Sequence, residues 1–512
     1  MLYPLNDNTS SNLEDIALNL CFASTKCTEW SILYSGLGIY NHVSSKEMKK
    51  MFSHFKVKSD DKFLDLLHFI KCIYKKGRPD FLKPLKSSKR DRKFLWKHDK
   101  FNKEIPILSQ GFGILSLCAC SKLIKYHEKR LSLSMIKAAD ILFDFVDKNM
   151  KSGDGQFVSF EDKSKTPKEA MFLKRKDKYP DIVSQTIIHE AFLTLYNETS
   201  NSKYKNYFKN NSRYLEESRK IFKYLYDNHL NLISLKSREI SNIISSLCRC
   251  SSLEKDSSYI ENYNHLIAIL SAELSSRVKN TGEVERREDS SEISSLITHF
   301  RCLSAFIEGF GKTDIYKFKE KAEKIFSYIS NHYDPLSCMF SDKKDYKINY
   351  SLRDITEIIK SLTVYYVHTE DEKAFHMLKG FYKVTILDSS LLASTPERSP
   401  VFLSHEIKIP DTIPLYEQTK KAPVFLKGLG INTKKSPYPY TGKSFNSYYG
   451  LYSSYIFAFY LTPIIEHKKR LNGNISSSDN EFLEDIYYRI INNKTNGDEN
   501  AENENFGPNN LD

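Results

Sequence analysis

The chain has 512 residues, of which 40% are hydrophobic and 13% aromatic, so it can bury a large core. Only 18 residues are Gly, about half the usual share of ~7%. The sequence has neither GxGxxG nor GxxxxGK[ST], which argues against a Gly-rich nucleotide-binding loop. A chain of this length exceeds one ordinary core, which predicts either several domains or one large ring-shaped architecture.

The cysteines and the N-terminus predict a cytoplasmic protein. Nine Cys form an odd set without the spacing of a disulfide framework, and most lie in apolar helical patterns. This usage is typical of reduced thiols in a reducing compartment. The first twenty residues lack the basic and apolar regions of a signal peptide. No apolar run reaches the ~18 residues of a membrane helix, so we expect no membrane span.

Residues 1–100 are predicted to form an N-terminal helical and basic extension. Short helices are expected at Asn12–Ser24 and Lys62–Tyr74. Part of the net charge of +12 is concentrated in Lys75–Lys100, which holds eleven Lys or Arg against three Asp. Aromatic residues are interleaved with these cations, so the stretch could contact a polyanion. The alternatives are a solvated linker for this stretch, and a lead-in helix pair that packs on the next domain.

Residues 101–470 contain helices of two kinds in alternation. Helices of the first kind carry small and apolar residues on most faces, as buried helices do, and each opens with Ser, a favourable N-cap. Amphipathic helices with charged outer faces lie between them. The buried helices are predicted to begin at Ser109, Ser184, Ser237, Ser291, Ser351 and Ser444. The middle intervals of 53, 54 and 60 residues fit two helices and two loops each.

Two further segments differ from this alternation. Residues 395–443 are Pro-rich and strand-like in places, which predicts a loop insertion before the last buried helix. Long excursions of this kind are often lids or binding loops. Residues 471–512 are predicted to form a C-terminal helix and an acidic disordered tail.

Two strings carry a resemblance to a known architecture. "SQGFGILSLCACSKL", with the following "SLSMIKAADILFDFVDKNMKSGDGQFVSFED", looks like a hairpin of a buried helix, an outer "AA-x-x-L" helix and a "DG-x-F" turn. "SQTIIHEAFLTLYNETSNSKYKNYFK" is similar to the next inner helix and its exit. With six helix pairs, the chain resembles the α/α toroid of the six-hairpin glycosidase-like superfamily. The resemblance implies an all-α fold, an (α/α)6 toroid of inner and outer helices with an N-terminal helical extension.

Two Cys-x-Cys strings, "LCAC" at Leu117 and "LCRC" at Leu247, suggest a metal site at first sight. Residues i and i+2 of a helix point about 200° apart, so one such pair cannot chelate an ion from one helix face. We therefore predict that these thiols pack in the core. No metal and no cofactor is expected.

The resemblance implies a site in the funnel formed by the N-terminal ends of the inner helices, where helix dipoles favour anionic groups. Two carboxylates on different loops could act there as general acid and base on a glycosidic bond. The candidates are Asp289 with Asp354, and Asp181 as a third. The alternative is that these carboxylates cap helices.

His189 and His299 both lie on inner helices. A ring-facing pair could abstract and return a proton, as in the sugar epimerases of this fold. The alternative is that each is a core His with a backbone or hydroxyl partner. Contacts to substrate are predicted for side chains near the helix starts and loops, namely Gln110, Gln185, Arg238, Arg353, Tyr179 and Tyr350.

The predicted function is a carbohydrate-active protein that acts on an oligo- or polysaccharide by general acid/base catalysis, as a glycoside hydrolase or an epimerase-like enzyme. The alternative is a non-catalytic helical-repeat protein that binds a macromolecular partner through the ring or through the basic residues 75–100. Terpene cyclases and prenyltransferases, which share the toroid, are excluded because the chain has only two Trp and no Asp-rich metal motif. The substrate, the reaction and the oligomeric state stay open.

Overall fold

The computed structural model of the chain describes residues 13–34, 37–58, 63–64, 67–78, 100–126, 128–164, 172–287, 292–341, 347–389, 391–392, 424–432, 436–441 and 444–471. Its helices are α1 Leu13–Thr28, α2 Ser45–His54, α3 Ile107–Ile124, α4 Lys129–Asn149, α5 Ile182–Thr199, α6 Ser202–Tyr207, α7 Asn211–Asp227, α8 His229–Ile233, α9 Ser237–Leu253, α10 Ser257–Ser276, α11 Leu296–Thr313, α12 Tyr316–Ser330, α13 Leu352–Thr369, α14 Glu372–Tyr382 and α15 Ser447–Leu471. Two π-helical segments, Glu29–Tyr34 and Lys383–Leu387, continue α1 and α14.

The strands are short and antiparallel. They are β1 Gly38–Tyr40, β2 Ile70–Ile73, β3 Lys76–Gly77, β4 Glu104–Ile105, β5 Phe160–Asp162, β6 Leu173–Arg175, β7 Tyr333–Asp334, β8 Met339–Phe340, β9 Lys347–Ser351, β10 Gly428–Asn432, β11 Ser436–Thr441 and β12 Phe445–Asn446. Three of them, β4, β9 and β12, directly precede inner helices, so this end of the ring is surrounded by extended chain.

Six inner helices form a closed ring. They pack in the order α3, α5, α9, α11, α13 and α15, and α15 packs against α3 to close it. Their side chains are apolar or small on most faces, which a helix needs when neighbours cover it on both sides. The all-α toroid predicted from the sequence is confirmed.

Each inner helix has one outer partner. The outer helices α4, α7, α10, α12 and α14 follow their inner helices in sequence and pack on them. The sixth outer position is filled by α1, which packs on α15 and α3. The N-terminal helix thus completes the sixth hairpin with the last helix of the ring, so the described residues before Ile107 do not stand apart from it.

The domain boundaries at residues 100 and 470 stay predictions. Most of the basic stretch (residues 79–99), most of the predicted insertion 395–443 (residues 395–423 and two short gaps) and the C-terminal residues 472–512 lie outside the described residues. In the described part of the insertion, β10 and β11 join β9 in a three-stranded sheet of order β11-β10-β9.

The predicted helix starts are close to the observed ones, but the capping residues differ. Ser351 is the N-cap of α13, as predicted. The N-cap of α5 is Asp181, whose carboxylate accepts hydrogen bonds from the amide and hydroxyl of Ser184. The helix predicted from Ser291 begins only at Leu296. An Asp three residues before a Ser competes for the cap because its carboxylate is the stronger acceptor.

Helix α3, Ile107–Ile124, is long and apolar enough to cross a membrane, and it is the one such helix among the described residues. About 78% of it is buried inside the protein. Its apolar character follows from its place in the inner ring, where other helices rather than lipid cover it.

All nine cysteines are buried, and none of them forms a disulfide. Cys118 and Cys248 are each the twelfth residue of their helices, α3 and α9, so the two Cys-x-Cys strings occupy equivalent places in the ring. Among the described residues, no group of three or more His, Cys, Asp or Glu side chains could hold a metal ion.

Candidate active site at the ring axis

One face of each inner helix points to the ring axis. The second, sixth, ninth and thirteenth residues share this face, because spacings of three and four residues keep side chains on one side of an α-helix. The second positions of five inner helices line a cavity at the N-terminal end of the ring; they are Leu108, Val183, Arg238, Arg353 and Tyr448.

This cavity, called the funnel below, has a volume of about 240 Å³. The second-position residues form its outer layer, and residues from the next turns form its deeper walls. The deeper and flanking residues are Phe112, Asp181, Ile187, Glu239, Asn242, Ser245, Arg249, Lys360, Tyr452 and Ile456. The funnel is not plugged by apolar side chains.

The wall formed by α3 and α5 is apolar. At their second and sixth positions these helices carry Leu108, Phe112, Val183 and Ile187. Two tyrosines of α15 adjoin this wall: the Tyr448 ring stacks on Phe112 at 5.6 Å, and the Tyr452 ring meets Phe112 edge-on at 5.0 Å. This wall offers flat apolar surfaces to a ligand.

The opposite wall, formed by α9 and α13, is polar and charged. At its sixth position α9 carries Asn242, which lines the funnel, whereas the sixth residues of α11 and α13, Arg301 and Glu357, are buried and do not line it. Glu357 is fully buried. It accepts hydrogen bonds from Tyr452 Oη at 2.6 Å and Arg301 Nε at 3.1 Å, and Lys360 Nζ lies 3.8 Å from Oε2.

The electrostatics of Glu357 are dominated by its cations. Burial alone would raise its pKa, but the charges of Arg301, Lys360 and Arg353 lower the pKa to about 2. The carboxylate is therefore ionised at neutral pH and unsuited to the role of general acid. Its Oε2 atom is buried and has no hydrogen-bond partner among the described residues.

A second charged cluster lies deeper along the axis. Glu190 of α5 is fully buried and accepts hydrogen bonds from Arg249 Nε at 2.6 Å and Arg249 Nη2 at 2.9 Å. Tyr455 also donates to Glu190, and Arg249 Nη1 donates to Tyr460 Oη at 2.9 Å. Tyr460 in turn donates to Glu308. The axis is thus filled by paired charges, and these pairs separate the funnel from a smaller cavity of about 100 Å³ at the other end of the ring.

Asp181 is the predicted catalytic carboxylate that lines the funnel. It caps α5 through the Ser184 amide at 2.9 Å. Glu239, a lining residue that the sequence argument did not select, caps α9 by accepting from the Lys236 amide at 3.0 Å. Both funnel carboxylates therefore also hold helix starts.

The other two predicted carboxylates are placed differently. Asp354 forms a capping box with Ser351, with Oδ2 accepting from the Ser351 amide at 3.0 Å and from its hydroxyl at 2.7 Å. Arg301 Nη2 lies 4.0 Å from its other oxygen. Asp289 lies outside the described residues.

The structure does not bring the two predicted histidines together at the axis. His189 is fully buried and contacts outer helices, with Nδ1 2.8 Å from Ser218 Oγ and Nε2 2.8 Å from Tyr263 Oη. Burial lowers the pKa of His189 to about 4, so it is neutral at pH 7. His299 Nε2 accepts from the Val284 amide at 3.0 Å, and its ring stacks on Tyr328. These contacts match the core-histidine alternative.

Gln110 and Gln185 hold loops rather than face the funnel. Gln110 exchanges two hydrogen bonds with the backbone of Ile73, at 2.8 and 2.9 Å. Gln185 makes the same pair of bonds with Phe157, at 2.9 and 2.8 Å. Each is the fourth residue of its inner helix, as is His299. The fourth residue of these inner helices therefore binds the backbone of an adjacent segment and holds that segment against the ring.

The two predicted tyrosines do not line the funnel. Tyr350 is buried, and its hydroxyl contacts the backbone of Phe340. Tyr179 is 72% exposed. Arg238 and Arg353 do line the funnel.

Sequence reasoning missed the deeper residues of the axis: Glu190, Arg249, Arg301, Glu357, Lys360, Tyr448 and Tyr452. A signal was present, because each charged member interrupts an otherwise apolar inner helix. Buried charges are retained only where partners exist, so charges at heptad-like spacing in buried helices could have pointed to the axis.

Comparisons with solved structures return toroid enzymes at low identity. Cellobiose 2-epimerase from Bacillus thermoamylovorans is 11% identical, with 83% of this chain and 100% of that chain covered and a TM-score of 0.46. A D-mannose isomerase is 9% identical over 90% of this chain and 100% of its own, with a TM-score of 0.48. A family 76 α-mannanase from Bacteroides thetaiotaomicron is 12% identical, with 73% of this chain and 91% of that chain covered and a TM-score of 0.42.

No protein-family model and no curated protein matches the sequence. The likeness to these solved structures concerns the architecture alone.

Proposed function

We propose that the chain is a carbohydrate-active protein that binds an oligo- or polysaccharide in the funnel. The observation that carries this proposal is the pairing of the two walls. Phe112, Tyr448 and Tyr452 present ring faces and edges suited to the apolar faces of sugar rings. Arg238, Asn242 and Arg353 line the opposite wall and offer polar groups to sugar hydroxyls. Polar groups that a ligand covers need hydrogen-bond partners, and sugar hydroxyls can both donate and accept.

We further propose that the bound saccharide is transformed by general acid/base catalysis with Asp181 as one of the two groups. Asp181 is supported by its place on the funnel wall. Glu239 is the second carboxylate of the wall, and Asp289 stays a sequence prediction. A general acid or base contributes about 10²- to 10⁴-fold to a rate.

The test is Asp181→Asn. Because Asn caps helices about as well as Asp, the melting temperature should change little while saccharide turnover falls by about 10²-fold or more. The matched control is Asp256→Asn on the outer helix α10, where Asp256 accepts from the Ser258 amide at 3.1 Å. Full turnover by the Asp181 variant would reject Asp181 as a catalytic group.

The second candidate is saccharide binding without turnover. It is favoured by the fact that Asp181 and Glu239 are both committed to helix caps and that Glu357 is held ionised. A panel of oligosaccharides that raises the melting temperature by mass action, with no product formed from any of them, would support this candidate.

The proposed location is cytoplasmic, which the nine buried cysteines, none of them in a disulfide, support. A polyanion partner for Lys75–Lys100 also stays a proposal. Of the described residues in that stretch, Lys75 is already engaged, because its Nζ donates to both carboxylate oxygens of Glu104 at 2.9 Å.

A further inference from the structure

The funnel is lined by more cations than carboxylates. Four basic side chains line it, Arg238, Arg249, Arg353 and Lys360, against two acidic ones, Asp181 and Glu239. The N-termini of five inner helices, α3, α5, α9, α13 and α15, also border the funnel, and each contributes a partial positive charge. Both lining carboxylates are used to cap helices, so they already offset part of that charge at α5 and α9.

Two of the four cations are matched by a buried carboxylate. Arg249 makes a two-point contact with Glu190, at 2.6 and 2.9 Å. Lys360 lies 3.8 Å from Glu357 and 3.4 Å from Ser245 Oγ. These two side chains are held by the protein itself.

Arg353 is different. Its Nε atom is buried and has no hydrogen-bond partner among the described residues, and its nearest carboxylate oxygen, on Glu357, is 3.9 Å away. The guanidinium lies over the rings of Tyr448 and Tyr452, with its carbon 5.3 and 5.5 Å from their centroids. The side chain is 20% exposed. The guanidinium thus packs against two tyrosine rings and makes no direct hydrogen bond to a carboxylate of the described residues.

Arg238 provides a second cation at the rim. It occupies the second position of α9, as Arg353 does on α13. Its side chain is 51% exposed, and its closest carboxylate, on Glu239, is 3.7 Å away. Glu239 also accepts a hydrogen bond from the Lys236 amide, so its negative charge offsets the positive charge of Arg238 only in part.

We propose that the saccharide bound in the funnel carries an anionic group, a carboxylate, sulfate or phosphate, and that Arg353 binds this group with Arg238 assisting from the rim. This inference rests on the proposed function. A planar guanidinium suits two-point binding of such groups. The sugar ring would then lie towards the apolar wall, with its charge directed to α13.

The experiment measures the dissociation constants of matched probes by calorimetry on the full chain. The probes are a galacturonate tetrasaccharide, the neutral galactose tetrasaccharide, glucose 6-sulfate, glucose 6-phosphate, glucose and inorganic phosphate. At least one charged sugar should bind about 10-fold or more tightly than its neutral counterpart, since a charge-assisted hydrogen bond is stronger than a neutral one. The best charged sugar identifies the anionic group.

The variant Arg353→Met should bind the best charged sugar about 10- to 100-fold more weakly. Its affinity for the neutral sugar should stay within about twofold of that of the unmodified protein. Arg353→Lys keeps the charge but not the planar guanidinium. Its affinity for the best charged sugar should therefore lie between those of Arg353→Met and the unmodified protein. The control is Lys223→Met on the outer helix α7, which changes the net charge equally and should leave all constants unchanged. Raising the salt concentration should weaken only the charged probes.

The outcomes separate this inference from the proposed function. Equal affinity for charged and neutral sugars, or an Arg353→Met variant that retains the charge preference, overturns the inference and leaves saccharide binding intact. Binding of inorganic phosphate alone, with no sugar bound, overturns both. Absence of binding by every probe rejects both as well.

Discussion

The two walls of the funnel come from the same repeated hairpin but are built differently. At equivalent positions, α3 and α5 carry Leu108, Phe112, Val183 and Ile187, whereas α9 and α13 carry Arg238, Asn242, Arg353 and Glu357. The backbone positions are alike, so the difference lies in the side chains and their partners. The apolar wall needs only close packing, while the charged wall needs a complete set of counter-charges, because an unpaired buried charge is costly.

This contrast suggests how such a ring acquires a ligand site. The apolar helices α3 and α5 supply surface and stability. The charged wall is left with an acceptor on Glu357 and a donor on Arg353 that the described residues do not satisfy. A site is therefore expected where the ring's own polar pairing is incomplete, and the predictions that follow compare the two walls.

The largest expected effect is at the sixth position. Glu357→Ala should lower the free energy of unfolding by about 3–5 kcal/mol, because it leaves the buried cations Arg301 and Lys360 without their carboxylate. The matched change on the apolar wall, Ile187→Val, should cost about 0.5–1.5 kcal/mol. Urea unfolding measures both. If Glu357→Ala lowers the free energy of unfolding by less than about 1 kcal/mol, water must reach Arg301 and Lys360 and solvate their charges.

The next effect is a difference between His189 and Glu357 in the pH range over which each affects the free energy of unfolding. His189, on the outer side of α5, has its pKa lowered by burial from 6.5 to about 4. The unfolded chain therefore takes up this proton first, and stability should fall by about 3 kcal/mol as the pH drops from about 6.5 to 4. Glu357, with a pKa lowered from 4.5 to about 2, stabilises fully above pH 4.5 and loses this contribution as the pH falls towards 2.

Unfolding free energies measured from pH 7 to pH 3 would separate the two residues. His189→Gln should flatten the dependence between pH 6.5 and 4, and Glu357→Gln should flatten it only below about 4.5. An unchanged slope in His189→Gln would show that this His is not neutral in the folded protein.

The smallest expected effect concerns Asp354. If this carboxylate is a cap and not a catalytic group, Asp354→Ala should cost about 1 kcal/mol of stability, and Asp354→Asn should leave both stability and turnover nearly unchanged. Thermal unfolding and a saccharide turnover assay check the two changes. Loss of turnover in Asp354→Asn with an unaltered melting temperature would restore the catalytic role predicted from its position.

Much of the architecture was predictable because it depends on local patterns. Helices apolar on most faces could only be inner helices, and their spacing of 53 to 60 residues required a partner helix between each pair. The sixth outer helix was not predictable in the same way. Leu13–Thr28 is separated from its partner Ser447–Leu471 by more than 400 residues, and no local pattern records that pairing.

By itself, the sequence determined the alternation of buried and amphipathic helices and roughly where the buried helices begin, because both follow from helical periodicity and capping residues. The ring, the funnel at the helix starts and a place there for Arg238 and Arg353 were implied by the resemblance to the six-hairpin superfamily. The tertiary structure decided which side chains meet at the axis. Gln110, Gln185, His189 and His299 are polar residues of inner helices, yet each is satisfied by a neighbouring loop or outer helix. Glu357 and Arg353 are equally polar, but their helix turns them to the axis, where their partners among the described residues are incomplete. A helix of 3.6 residues per turn offers several faces, and only packing determines which of them borders the cavity.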